Sequence, residues 1–193
     1  KWVNENTLVV CSSYSGNTEE TLFALEDAIV KKAQVCGITT GGKIESRLND
    51  LRKDVLLIPS GLQPRAALAF SFLPIAKLLE RAGILDLSLD KWLNDTIKSL
   101  SKARDIYSRE NEKNPVYKLA RQIYLKIPII YANNSTLGVA AVRLKSQICE
   151  NGKMLAYHNK LPELNHNEIV GWENNAELFE NLFVLWLVDS SDN

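Results

Sequence analysis

The feature that most constrains this chain is a short apolar run that ends in a polar, glycine-bearing loop and passes directly into a helical repeat. Thr7-Leu-Val-Val-Cys11 is followed by Ser12-Ser-Tyr-Ser-Gly-Asn-Thr18, and then by apolar residues at Leu22, Leu25 and Ile29. An apolar run with no polar alternation suits a strand buried on both faces, and the 3–4 residue spacing after it suits an amphipathic helix. Two more apolar runs follow, Val35–Thr39, closed by Gly41-Gly42, and Val55–Ile58. Strands alternating with helices predict an α/β chain with parallel sheets covered on both faces, in which ligands gather at the C-terminal ends of strands. The loop at 12–18 lies at such an end.

The remainder repeats this logic. Residues 66–83 have a helical period interrupted by Pro74, and residues 87–111 form a charged amphipathic stretch. Asn114-Pro115 marks a boundary by its turn chemistry. Beyond it the spacing predicts a helix over 116–126, a strand over 127–131, a loop at Asn133-Asn-Ser-Thr136 and a helix to Glu150. Strands are expected at 154–157 and 182–188, with a helix starting near Asn165. The expected organisation is therefore two α/β units, residues 1–113 (including a connecting helix) and 114–193. The chain starts at Lys1 and stops at Asn193 close to strand patterns, which leads us to expect both units to be incomplete.

Charge and cysteine content exclude several classes. Lys plus Arg and Asp plus Glu both total 23, so the net charge is zero. That balance argues against a surface built for nucleic acid or anionic lipid. The longest strong apolar run, Leu182–Val188, is far short of the ~20 residues of a membrane-spanning helix, and no charged-then-apolar export leader is expected. Cys11, Cys36 and Cys149 are widely spaced and form no CxxC pair, as expected of reduced thiols in a cytoplasmic protein. With only two histidines and no clustered cysteines, no metal site is expected.

Two constellations carry chemistry. In loop 12–18, Ser13, Ser15 and Thr18 offer hydroxyls, Gly16 permits close backbone approach, and the following helix start offers N–H groups and a partial positive charge. No Lys follows the Gly, so this is not a nucleotide P-loop. By residue type alone the segment reads equally well as an ordinary N-capped helix behind a polar loop. The second constellation is Arg143–Lys153 with Leu161–Trp172. Glu150 ends a helical pattern with Gly152 placed as a C-cap, and a carboxylate at the negative end of a helix dipole is an unfavourable placement that hints at function. Asn165 and Glu168 are spaced as a capping box, which would put His166 in a first helical turn. Taken singly, Glu150 and His166 read as exposed residues at helix ends. His158 has no such context.

The run Ser-Ser-Tyr-Ser-Gly-Asn-Thr-Glu-Glu-Thr at 12–21 resembles the phosphosugar-binding loop of sugar isomerase (SIS) domains. Pro64-Arg65-Ala66-Ala67, the R-x-K-x-Q-x-x-E-N-x-K pattern at Arg143–Lys153 and the run Pro162–Trp172 together resemble the bifunctional phosphoglucose/phosphomannose isomerase family. Cys149 and Gly152 stand where that family's pattern leads us to expect other small or polar residues. The resemblance implies two SIS-type three-layer αβα units with parallel sheets and a homodimer with its active site at the interface. It further implies that Ser13, Ser15 and Thr18 hold the substrate phosphate and that Glu150 moves a proton between C1 and C2. His166 would assist ring opening across the dimer interface, and Arg65 would stabilise the enediolate. The implied reaction is aldose–ketose isomerisation of a hexose 6-phosphate without cofactor or metal. The resemblance leads us to expect the family's lysine-bearing C-terminal helix and first strand to lie outside 1–193. A non-catalytic phosphosugar sensor and the isomerase part of a glucosamine 6-phosphate-forming amidotransferase are the rival readings.

Overall fold

A computed structural model of the chain describes residues 2–134, 136–174 and 176–189. It divides into two compact units, Lys1–Ile97 and Lys98–Asn193. The division falls inside one helix, α4 (Leu89–Tyr107), whereas the Asn114-Pro115 turn starts the next helix. There the Asn114 side chain accepts from Val116 N at 2.9 Å, and Pro115 occupies the first helical position.

The first unit is built on a parallel sheet ordered β1 (Leu8–Ser12), β2 (Gln34–Thr39), β3 (Val55–Leu57). Val10 lies opposite Cys36 and Cys11 opposite Gly37. The β1–β2 crossover is α1 (Glu19–Val30), and the β2–β3 crossover is α2 (Gly42–Asp50). Leu25 and Ala28 of α1 and Ile44 and Leu48 of α2 bury themselves against Cys11 and Val35 of the sheet. Removing side chains such as Leu25, Ile44 and Leu48, all fully buried, from water is worth about 1.5–3 kcal/mol each. Gly37 leaves room for this layer, since a Cβ there would lie 2.4 Å from Leu48 Cδ1 and that side chain would have to shift. A 3-10 turn at Pro64–Ala66 leads to α3 (Leu68–Arg81), which contains Pro74, as the sequence pattern indicates. Glu80 of α3 accepts from Leu89 N at 2.9 Å and so serves the start of α4.

The second unit has α5 (Pro115–Ile123), β4 (Ile127–Asn133), α6 (Thr136–Gly152), β5 (Tyr157–Leu161), α7 (Glu163–Asn167), α8 (Ala176–Phe179) and β6 (Leu182–Leu187). Its sheet is also parallel, ordered β5-β4-β6, with β4 central. Ile130 and Ala132 of β4 pack against Ala141, Leu144 and Ile148 of α6. The parallel α/β class expected from the sequence is therefore the observed one, in both units.

Four local expectations need correction. Helix α2 was not anticipated: within its polar sequence only Ile44 and Leu48 are buried, too few for a visible helical stripe. The strand expected at 154–157 is found at Tyr157–Leu161. Gly152 is the last helical residue of α6 rather than its cap, and the left-handed conformation falls on Lys153 (φ 55). The helix expected to start near Asn165 starts at Glu163 after Pro162, so the Asn165–Glu168 capping box does not form. Pro is favoured near a helix start, and here it sets the start two residues earlier than the polar pair suggested.

Candidate active site

Loop 12–18 leaves the C-terminal end of β1, with Ser13 N still donating to Ile38 O of β2 at 3.1 Å. Ser13 is buried, and its Oγ accepts from Gly16 N at 3.1 Å and lies 2.8 Å from Thr18 Oγ1. Ser15 is exposed and its Oγ accepts from Asn17 N at 3.2 Å. The three hydroxyl residues expected to bind phosphate thus lie on one closed turn. Because Thr18 Oγ1 is engaged with Ser13, it makes no side-chain cap bond to α1. The N–H groups of that first turn are not taken up by the usual capping hydroxyl, which keeps the helix end suited to an anion.

The turn is locked to a second glycine turn after β2. Gly16 has φ 69, and a Cβ built on it would lie 1.7 Å from Gly41 O. Gly41 and Gly42 are also left-handed, at φ 141 and φ 78. The loop caps α2: Asn17 Oδ1 accepts from Lys43 N at 3.1 Å and Gly16 O from Ile44 N at 3.0 Å. Thr39, fully buried at the end of β2, donates its hydroxyl to Gly41 O at 2.8 Å. Sequence reading found the loop but missed this partner, because the contact joins residues of two different strand ends.

Arg65 sits half-buried in the 3-10 turn at Pro64–Ala66, within the same unit as the loop. The segment before it is tied to the loop by Tyr14, whose hydroxyl donates to Pro59 O and accepts from Leu62 N, both at 3.0 Å.

Glu150 and His166 belong to the second unit. Glu150 lies exposed in the last turn of α6, and His166 lies exposed on α7. What holds α7 is a polar network around Tyr131, a residue of β4 that is 2% exposed. The Tyr131 hydroxyl donates to Glu168 Oε1 and accepts from Trp172 Nε1 at 3.1 Å, while Asn159 Nδ2 donates to Glu168 Oε2 at 2.5 Å. Trp172, Trp186 and Phe179 complete the surround, with the Tyr131 and Trp186 ring centroids 4.9 Å apart. Burial, reinforced by the hydrogen bond to Glu168, pushes the Tyr131 phenol well above its ordinary range. The Pro162–Trp172 run therefore contributes two half-buried residues of this network, Glu168 and Trp172, beside its exposed histidine.

Two outcomes test this network. Replacing Glu168 by Ala leaves the Tyr131 hydroxyl and the Asn159 amide without their acceptor, and should cost about 1–3 kcal/mol, read from urea unfolding midpoints. Tyr131 binds its proton more tightly folded than unfolded. Its contribution is therefore complete below the unfolded pKa, about 10, and is lost as pH rises above it. The steepening loss of stability above that pH should diminish in Tyr131→Phe.

The fold, two α/β units each built on a parallel sheet, with a serine-rich turn after the first strand, is that of SIS proteins. Glucosamine-6-phosphate deaminase from Thermotoga maritima superposes with a TM-score of 0.62 over 98% of this chain and 63% of its own, at 15% identity. Residues 112–193 match the family described as bacterial phospho-glucose isomerase C-terminal SIS domain. The chain is 46% identical, over 99% of its length, to a bifunctional phosphoglucose/phosphomannose isomerase from Caldicellulosiruptor bescii, covering 57% of that protein. It is 32% identical to a D-glucosamine-6-phosphate 4-epimerase from Sulfolobus acidocaldarius over 86% of the chain and 51% of that protein. The chain belongs to the bifunctional phosphoglucose/phosphomannose isomerase family, and spans about half the length of the curated relatives it matches.

Proposed function

We propose that the protein containing this chain interconverts glucose 6-phosphate, and also mannose 6-phosphate, with fructose 6-phosphate by proton transfer through an enediolate. What carries the reading is its membership in a family with named isomerases, together with a loop whose buried Ser13 hydroxyl and uncapped helix start suit a phosphate. Ser13, Ser15 and Thr18 hold the phosphate, far along the sugar from the reacting carbons. Its binding energy is thereby spent on orienting C1 and C2. Glu150 is the base that removes the proton from one carbon and returns it to the other. Arg65 offsets the charge developing on the enediolate oxygens, and His166 assists opening of the sugar ring. The protein works in the cytoplasm as a homodimer in which His166 serves the partner's site.

The test is isomerisation in deuterium oxide. Glucose 6-phosphate should yield fructose 6-phosphate carrying deuterium at C1, and recovered glucose 6-phosphate should gain deuterium at C2. Absence of any ketose product would overturn the reading. Relatedness to a named 4-epimerase makes C4 epimerisation of an amino-sugar phosphate the alternative, and it would yield a C4 epimer with no ketose.

A further inference from the structure

We propose that Tyr14 is a positioning residue, whose hydroxyl straps the Arg65-bearing segment to the phosphate loop so that the two are held in register. The proposal rests on the isomerase reading for its kinetic consequence, but the strap itself is a property of the first unit alone.

Tyr14 stands in the middle of the loop, between Ser13 and Ser15. Its own carbonyl is fixed by two donors from the end of β2, Thr40 N at 2.9 Å and Thr40 Oγ1 at 2.7 Å. The side chain then leaves the loop and spans the segment after β3, giving a hydrogen bond to Pro59 O and taking one from Leu62 N. A hydroxyl has one proton to give and two lone pairs to accept with, so this is a well-matched use of both functions. The two contacts lie 45 and 48 residues from Tyr14 in sequence.

The segment it spans is exposed backbone strung between two buried anchors. Ile58 is 8% exposed and is held by Ile58 N donating to Thr39 O at 2.9 Å; Ala67 is 1% exposed. Between them, residues 59–64 are exposed. Gly61, at φ 98, has nothing within 4 Å of where a Cβ would stand. A stretch of this kind has little packing of its own to select one conformation, and exposed segments with few buried contacts open at low free energy. Tyr14 gives it two fixed points, and the second of them, Leu62, is three residues before Arg65. The residue that separates two phosphate-loop serines thus also sets where the guanidinium's backbone begins. A shift of ~1 Å in a group aimed at developing charge can cost ~100-fold in rate.

The bonds are solvent-accessible, so water can replace them and their loss need not threaten folding. Tyr14→Phe keeps the ring and removes only the strap. In the full protein, kcat for glucose 6-phosphate should fall roughly 10- to 100-fold, while inhibition by inorganic phosphate, which needs only the loop, changes less than about 2-fold. A Tyr14→Phe kcat within about twofold of the parent would overturn the proposal.

Amide exchange supplies a readout that does not need activity. In the parent, the Leu62 amide should exchange slowly, and saturating inorganic phosphate should slow exchange across both 12–18 and 59–66. In Tyr14→Phe, phosphate should still protect 12–18 but no longer 59–66. Equal protection of 59–66 in the two proteins would also overturn it. If the parent fails to isomerise hexose 6-phosphates while this exchange pattern holds, the functional reading falls and the strap stands.

Discussion

Replacing Glu150 by Gln should lower kcat about 10²- to 10⁴-fold, the usual contribution of a general base, while glucose 6-phosphate binding survives. Stability should move in a different way. Glu150 is exposed in the last turn of α6, where the helix dipole disfavours a carboxylate, so an amide there should change the unfolding free energy by no more than about 1 kcal/mol. A residue kept for folding would show the opposite pattern, with stability lost and rate preserved. The measurement is steady-state isomerisation alongside urea unfolding and titration with glucose 6-phosphate. Unchanged turnover in the Gln variant would remove Glu150 from the chemistry.

The second large effect is expected at Gly16. An alanine there would place its Cβ 1.7 Å from the Gly41 carbonyl oxygen, at a left-handed φ of 69 that already disfavours a side chain. The obstacle is backbone, so no rotamer change relieves it, and the loop or the glycine turn must move. Overpacking and conformational strain together predict a loss of about 2–4 kcal/mol, seen in the unfolding midpoint. Because Gly16 O and Asn17 Oδ1 also receive the first N–H groups of α2, the damage should reach that helix start and weaken inorganic phosphate binding at least tenfold. A Gly16→Ala protein with parental stability and phosphate affinity would contradict the close approach.

Much of the architecture could be read from local pattern. β1, β2, β3, β4 and β6 are apolar runs between turn residues, and α1, α3, α4 and α6 carry long enough stripes to show their period. Helix α2 escaped because two buried residues, Ile44 and Leu48, are its whole inward face. The five-residue α7 is shorter than two turns and shows no period of its own, so the Asn165–Glu168 spacing is the more visible signal although the helix begins directly after Pro162. For the candidate site, Ser13, Ser15 and Thr18 were legible because they are neighbours in sequence. The long-range pairs that brace the structure in each unit were not. Tyr131 meets Glu168 37 residues away, and Tyr14 meets Leu62 48 residues away. No periodicity encodes such pairs, since they arise only when strand ends are brought side by side. Glu168 illustrates the cost: its spacing from Asn165 suggested a cap, yet its carboxylate is committed to Tyr131 and Asn159.

The contact between Gly16 and the Gly41 carbonyl bears on how such a loop can change its ligand. A library randomising residues 12–18 alone would return only glycine at position 16, whatever phosphorylated compound were offered as bait, because the limiting surface is supplied by a different turn. Room for a new contact at that corner would have to come from displacing the 41–42 turn, and with it the first turn of α2. Variation in ligand preference is therefore cheaper at Ser15, exposed on the rim of the turn, than at the glycine beside it.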